Sequence, residues 1–594
     1  MENIRREMRK TEDTWKLEDI FGSNDMWEEA FRRAAQAIPN LKRFEGRLSE
    51  LSVLEEACRA AFALARELEA LFAYARMRRD EDNGVSLYQG MADRAQTLFT
   101  DFGTATSFIA PELLACREEY LEEAVRAPEL SDYRMFLDGI IRRRAHTLSK
   151  EEERVVAMAG EMGASPSTIY DMLTDADMKF PKISGEDGEE VELTHANYIP
   201  LMMSRDRKVR KGAFEALYGT YASFSATIPA IYAASVKSDI FSVRTGRFAT
   251  CLEAALYPDN IDLSVYKNLI SAVHNHLSGL NRYLTINARA LGLSEMHMYD
   301  VYAPATKGFD INLPFDKAYD LVVDCLKVLG GDYQEVLRRA KDERWIDPYP
   351  NVGKTSGAYS WGTYDSHPYV LLNYAQTLDG LQTVAHEMGH SMHTFYSAKA
   401  QPFPLAEYSL FVAEVASTVN EVLVLMELLE RYPEKDAQAY LLNNLLDSYR
   451  TTLFRQTQFA EFEMRSHEMA EGGEPLNADT LNREYGAINA LYYHSVVQDE
   501  EIRCEWMRIP HFYRAFYVYK YATGFSAAMA LASKIRKEGA PAVEAYKKFL
   551  SAGCSLYPIE ALKLAGIDMS KPEPVEEALA MFERLVERYE KVME

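Results

Sequence analysis

The chain has 594 residues, 47% of them hydrophobic and 26% charged, which is ample for a large core in one two-lobed body or in several domains. Its formal net charge of −24 argues against nucleic acid or an anionic membrane as partner and suits neutral or basic substrates. No apolar run reaches spanning length, Met1–Lys10 lacks the hydrophobic stretch of a secretory signal, and six scattered cysteines read as mostly buried, reduced thiols of a cytoplasmic protein.

Residues 1–150 read as helix after helix. A helix opens at Asp25, a long amphipathic run covers Leu51–Arg78, another covers Ser86–Phe102, and Pro111 and Pro128 mark turns. Nothing in this stretch carries chemistry. Met178–Ile183, a Gly-Glu-Asp-Gly turn at 185–188 and Val191–Thr194 predict a short β-hairpin. The basic run Arg205–Lys211 reads as a solvated helix start, with a peptide-carboxylate anchor as the other reading. Asp262 is expected to cap a helix running to about Leu291; its His274 and His276 are two apart, so they point in different directions and make no metal pair. A strand is expected near Val301.

Residues 350–374 are rich in Gly, Ser and aromatics and predict two or three short strands, around Gly357–Trp361 and Tyr369–Asn373. An exposed strand edge at Gly357, Ala358 and Tyr359 can bond to an extended peptide backbone without reading its side chains. Lone His367 reads as solvated.

The next stretch holds His386-Glu387-Met388-Gly389-His390. On a helix, residues four apart share a face, so His386 and His390 can aim at one cation, with Glu387 beside it. Flanking Leu381, Val384, Ala385, Met388 and Met392 bury one side of that helix, and buried His and Glu need partners. A catalytic zinc takes three protein ligands and keeps one position open. Metzincins place the third as a His ten residues after the first; here that position is Tyr396. His393 lies too far along the same helix. After the break at Gln401–Pro404, Glu414 stands in the small, apolar run Phe411–Glu421, where a carboxylate is costly unless paired or bound. Glu414 is therefore the expected third ligand, and Glu421, two turns on, a residue that orients a ligand histidine.

The runs Gly353–Ser360, Pro368–Tyr374, His386–His393 and Phe411–Glu421 together resemble oligoendopeptidase F, of the thimet-oligopeptidase-like zinc metallopeptidases, and the similarity extends from Trp15–Phe21 nearly end to end. The resemblance implies one Zn²⁺ on His386, His390 and Glu414, with Glu387 as catalytic base. Beyond it, Ile509–Phe525 packs four tyrosines and a histidine close together. Tyr513 and Tyr517 are four apart and are expected on one helical face. In the family, a His and tyrosines of the matching segment stabilise the oxyanion. That role is expected of His511, Tyr513 and Tyr517, with Tyr519 next to them as a substrate contact. Residues 526–594 read as closing helices.

The expected fold is mainly α, two-lobed, with a deep central channel and small β elements near the metal: residues 1–205 form an N-terminal helical lobe with the hairpin, and 206–594 the catalytic domain. The expected function is zinc-dependent endopeptidic hydrolysis of short unstructured peptides in the cytoplasm, by metal-activated water and a Glu base. The competing readings are a zinc exopeptidase of the carboxypeptidase kind and a non-catalytic peptide-binding protein.

Overall fold

Apolar residues at helical spacing, punctuated by polar caps, turn the sequence into a succession of helices with two small sheets; this is a computed structural model, which describes residues 4–309 and 311–594. Helix α1 (Asn24–Ala37) starts where Ser23 Oγ accepts from the Met26 N–H, and it buries Trp27, Ala30 and Ala34. Helices α2 (Leu51–Glu81) and α3 (Ser86–Thr106) follow. Pro111 does not mark a turn. It lies early in a short helix, Ile109–Ala115, where its missing N–H costs nothing. Helix α4 (Lys150–Asp171) opens on a reciprocal Ser149–Glu152 cap. The hairpin is present: β1 (Lys182–Ser184) and β2 (Glu190–Glu192) pair antiparallel around a turn in which Gly188 has φ +77°.

The helix expected from Asp262 to Leu291 is two helices. Asp262 caps α5 (Leu263–Asn275) through the Ser264 N–H at 2.7 Å, and α6 (Leu277–Ala290) restarts after His276. His276 is gripped by Glu576 at 2.8 Å and Glu583 at 2.9 Å, which fixes the break. The strand expected near Val301 is instead a 3₁₀ turn, Met298–Asp300, because Asp300 accepts from the His297 N–H and from Arg207 and Arg210. That also commits two cations of the basic run.

Strands β3 (Ile346–Asp347), β4 (Tyr359–Trp361) and β5 (Tyr369–Leu371) form a second sheet in the order β3-β5-β4, with β3 parallel and β4 antiparallel to β5. Gly357, with φ +80°, and Ala358 precede β4 rather than lie in it. Helices α7 (Leu378–Ala400) and α8 (Leu410–Arg431) come next, and α9 (Tyr519–Glu538) runs unbroken through Thr523-Gly524.

By compactness the chain divides into two units, neither continuous in sequence. Unit 1 is Met1–Ala145, Asp310–Glu427 and Leu531–Ile567; unit 2 is His146–Phe309, Leu428–Ala530 and Asp568–Glu594. These cuts fall at other places than the 205/206 division read from the sequence. Unit 1 has a core built on Trp15, Trp27, Leu71, Tyr74, Tyr369 and Leu371. The Trp27 indole N–H donates to Leu71 O at 2.8 Å, so the buried ring carries no unmet donor. Its sheet is pinned by Lys354. That side chain, 1% exposed, donates to Asp347 Oδ1, Asp347 O, Tyr349 O and Leu372 O at 2.6–3.0 Å. A buried ammonium is tolerable only with such full satisfaction. Unit 2 buries Glu505, which pairs with Arg455 at 2.6 Å and accepts from Tyr218 and Tyr485. Burial works against the Glu505 carboxylate, but Arg455 and Arg508 outweigh it and hold its pKa down at about 2. No helix among the described residues is long and apolar enough to cross a membrane, and none of the six cysteines is in a disulfide.

Candidate metal centre

Two helices of unit 1 build the site. Thr377 caps α7 by accepting from the Gly380 N–H, and the helix then buries Leu381, Val384, Ala385, Met388 and Met392. The opposite stripe carries His386 and His390. Helix α8 crosses α7 at Gly389. A Cβ at Gly389 would lie 2.5 Å from Ser417 Cα and 2.6 Å from Ala416 O, so only glycine admits this approach. Asn420 Nδ2 donates to Ala385 O at 3.1 Å, and Tyr333 Oη donates to Asn420 Oδ1 at 3.0 Å, which ties the crossing down.

The close approach brings Glu414 to the imidazoles. His386 Nε2 and His390 Nε2 are 3.2 Å apart, and Glu414 Oε2 is 3.4 Å from each. Ligands about 2.0–2.1 Å from a tetrahedral zinc are separated by roughly 3.3–3.4 Å. The donor triangle therefore has the dimensions of one face of such a site, and it is the one such metal-holding group of His, Cys, Asp or Glu among the described residues. His386 Nδ1, on the far side of the ring, bonds Glu421 Oε1, which fixes the tautomer that leaves Nε2 facing the other two donors. Ser417 Oγ donates to Glu414 Oε2 at 3.0 Å and orients that carboxylate.

The electrostatics match a cation-binding cluster. Burial disfavours the charge on Glu414, yet the bond from His390, the two imidazoles and Ser417 hold its pKa at about 2. Burial likewise opposes a charged His386, but Glu421, then Glu387 and Glu414, outweigh it and raise the ring to about 9. The site thus gathers more negative charge than its own side chains neutralise. Glu387 is 6% exposed and accepts no hydrogen bond among the described residues. Burial pushes its pKa up, against the pull of His386 and His390. A carboxylate with unengaged oxygens and a raised pKa is suited to take up a proton.

The other histidines are occupied elsewhere. His393 is buried and stacked on Tyr408 at 3.6 Å, with its pKa lowered by burial to about 3. His367 stacks on Trp345 at 4.7 Å and bonds Pro368 O and Asp19, so it is part of the packing rather than a solvated loop residue. Tyr359 directs its hydroxyl to Asp80 at 3.0 Å, whereas Gly357 is exposed. The outer edge of β4 has no strand partner among the described residues.

The tyrosine segment belongs to unit 2, and its local structure differs from the expectation. Pro510–Tyr513 is a 3₁₀ turn, Phe516 takes φ +55°, and α9 begins only at Tyr519, so Tyr513 and Tyr517 do not share a helical face. Tyr513 stacks on Tyr170 at 4.3 Å, and burial raises its phenol pKa. His511 is exposed and parallel to the Tyr517 ring at 6.1 Å, and Arg514 lies 4.3 Å over that ring. Tyr519 is 1% exposed and packs on Tyr266 at 5.0 Å.

Sequence reasoning missed Gly389, Ser417 and Asn420. Their signal was a glycine inside a helix and polar residues on an apolar helix face, each of which asks for a packing reason.

Comparisons with known proteins agree on the family. The model for peptidase family M3 matches residues 200–581, and one described as oligopeptidase F matches residues 112–180. The chain is 42% identical to oligopeptidase PepF of Bacillus subtilis over 98% of its own length and 88% of that protein's. It is 40% identical to group B oligopeptidase PepB of Streptococcus agalactiae over 96% of both. Among solved structures, an oligoendopeptidase-F from Enterococcus faecium aligns with TM-score 0.74 at 34% identity, covering 96% of this chain and 99% of that one. A chain from Chlamydophila abortus described as a peptidase aligns with TM-score 0.95, also at 34% identity, over the whole of both. The chain therefore belongs to peptidase family M3, as a metalloendopeptidase of the oligopeptidase F kind.

Proposed function

We propose that the chain hydrolyses short, unstructured oligopeptides at internal bonds, with one Zn²⁺ held by His386, His390 and Glu414. The observation that carries this reading is the donor triangle with 3.2–3.4 Å edges, backed on His386 Nδ1 by Glu421. A zinc bound there supplies Lewis acidity, polarising a carbonyl and bringing the pKa of water toward ~7. Glu387 takes the proton from the attacking water and later delivers it to the leaving amine. Glu421 and Ser417 keep the ligand histidine and carboxylate in orientation. The free edge of β4, from Tyr359 on, together with Gly357 and Ala358 just before it, pairs with the substrate backbone, which accounts for breadth of sequence. His511, Tyr513 and Tyr517 keep the part that the resemblance gives them, donors to the charge developing on the carbonyl oxygen. Catalysis then belongs to residues 206–594, the stretch that the peptidase model nearly spans. The absence of disulfides supports a reducing cytoplasm as the place of work.

Mass spectrometry of a peptide library, digested with and without a chelator, tests the reading. The expected result is metal-dependent cutting at internal bonds, in peptides blocked at both ends as well. Trimming from one terminus only, or cutting indifferent to chelation and zinc, overturns it.

A further inference from the structure

Unit 1 also holds a cavity of about 500 Å³ that the chemistry described so far does not use. Five rings line it, Phe62, Trp361, Tyr364, Phe403 and Tyr408, together with two carboxylates, Glu69 and Glu407, and none of its lining residues is basic. Glu69 is half-buried on α2 and accepts the Tyr364 N–H at 3.0 Å through Oε2, while Oε1 has no hydrogen-bond partner among the described residues. The cation nearest at hand, Arg66, is paired with Asp365 and stacked on Tyr364 at 4.6 Å. Burial pushes Glu69 up to about 7 against the Tyr364 N–H, and Glu407 adds to that. Such a carboxylate is short of a positive partner, and aromatic walls attract cations through their faces.

The cavity is placed to meet a substrate. Thr394 and Ala398, on its wall, follow His386 and His390 along α7 at successive four-residue steps. Helical rise puts Thr394 about 6 Å, and Ala398 about 12 Å, beyond His390 along the axis. Ser360, Trp361, Gly362, Thr363 and Tyr364 line the cavity too, so the strand edge assigned to the peptide backbone leads into it. An extended peptide advances about 3.3 Å per residue, so a residue two to four positions from the cleaved bond arrives there.

We infer that this cavity is a specificity subsite for a cationic group of the substrate, a lysine or arginine side chain or the peptide's free amino terminus, held between Glu69, Glu407 and the aromatic walls. The inference rests on the peptidase reading above for the position of the peptide. The test uses internally quenched peptides that differ only in arginine against citrulline, or lysine against norleucine, at each position within four residues of the cleaved bond. Each is made with a free and with an acetylated amino terminus. Either the charged side chain at one position or the free amino terminus should be favoured over its neutral counterpart in kcat/KM by about tenfold, the scale of one partly buried ion pair. Glu69→Gln should reduce that ratio below about threefold, and Glu407→Gln should reduce it less, since Glu407 is exposed. If acetylation alone lowers kcat/KM, the amino terminus is the cation; if only the side-chain exchange does, the side chain is. A result in which neither a charged side chain at any position nor a free amino terminus is favoured, or a preference that neither substitution changes, overturns the subsite. Glu407→Gln keeps the test alive should Glu69→Gln not fold. Fluorescence anisotropy of the same peptides on a Glu387→Gln background reads the preference without turnover. Preference retained with no cleavage by the unsubstituted protein would count against the hydrolase reading and not against the subsite.

Discussion

Replacing Gly389 with alanine puts the geometry of the metal centre to a direct trial. The added methyl would sit 2.5 Å from Ser417 Cα and 2.6 Å from Ala416 O, both backbone atoms that no side-chain rotation can move. An ordinary contact is about 3.5–4.0 Å, so α8 must retreat by about 1 Å. Overpacking of this kind costs about 1–3 kcal/mol. Alanine recovers about 1 kcal/mol through its better helix propensity, which leaves a net loss of about 0–2 kcal/mol. In a protein of this size that shifts Tm by only a few degrees. The centre is less forgiving, because Glu414 rides on α8 while His386 and His390 ride on α7, and such constellations tolerate about 0.5 Å. Zinc affinity is therefore expected to fall about 10–100-fold, the loss typical of disturbed ligand support, while the metal-free melt hardly moves. Competition against a chromophoric chelator measures the first, and circular dichroism of the metal-free protein the second. An alanine variant that binds zinc as tightly as the parent would refute the claim that this crossing sets the ligand spacing.

Glu387→Gln is expected to keep the metal and lose turnover by about 10²–10⁴-fold; activity near that of the parent removes Glu387 from its role. Glu421→Gln should weaken zinc binding by about 10–100-fold through His386, seen by the same chelator competition; unaltered affinity would leave Glu421 without a function in the site. Chelation should abolish cleavage and lower the melting temperature of the zinc-loaded protein, and added Zn²⁺ should restore both. Asp300, fully buried, has its pKa lowered: burial pushes it up, but Arg207 and Arg210 more than compensate. Its contribution to stability is full above the unfolded carboxylate pKa of about 3.9 and is lost as pH falls through the lower folded value. Asp300→Asn should cost about 3–5 kcal/mol at neutral pH by stranding Arg210, and the gap in Tm to the parent should narrow below about pH 4; a constant gap down to pH 2 contradicts the assignment.

What could be read from the sequence follows from what kind of interaction each feature is. The pair His386 and His390 is a matter of helix period, and Glu414 was conspicuous as a charge among small apolar residues. Gly389, Ser417 and Asn420 act across a helix crossing, and a sequence does not say which helices cross. The break at His276 depends on Glu576 and Glu583, three hundred residues away, so local propensity ran straight through it. The shared helical face expected of Tyr513 and Tyr517 fails for a local reason. Pro510 starts a 3₁₀ turn and Phe516 adopts a left-handed backbone, and neither shows in a four-residue spacing. Strand β3, two residues long, is too short for any pattern and exists only by pairing with β5. The interleaving of the two units was invisible because contacts, not composition, define it.

That interleaving has a consequence for biosynthesis. Helix α7 and the short turn of helix after it, Phe403–Ala406, are backed by late sequence: His393 lies against Phe549, and the Cys554 N–H donates to Leu405 O at 3.0 Å. The ribosome delivers His386, His390 and Glu414 well before these residues. A nascent chain thus carries all three proposed ligands before it owns the wall that supports them, and unit 1 cannot be finished until Ile567 has left the exit tunnel. Assembly of the proposed metal centre in this way waits on late sequence, and a product released early, anywhere short of the last segment of unit 1, would present His386, His390 and Glu414 on an incomplete body.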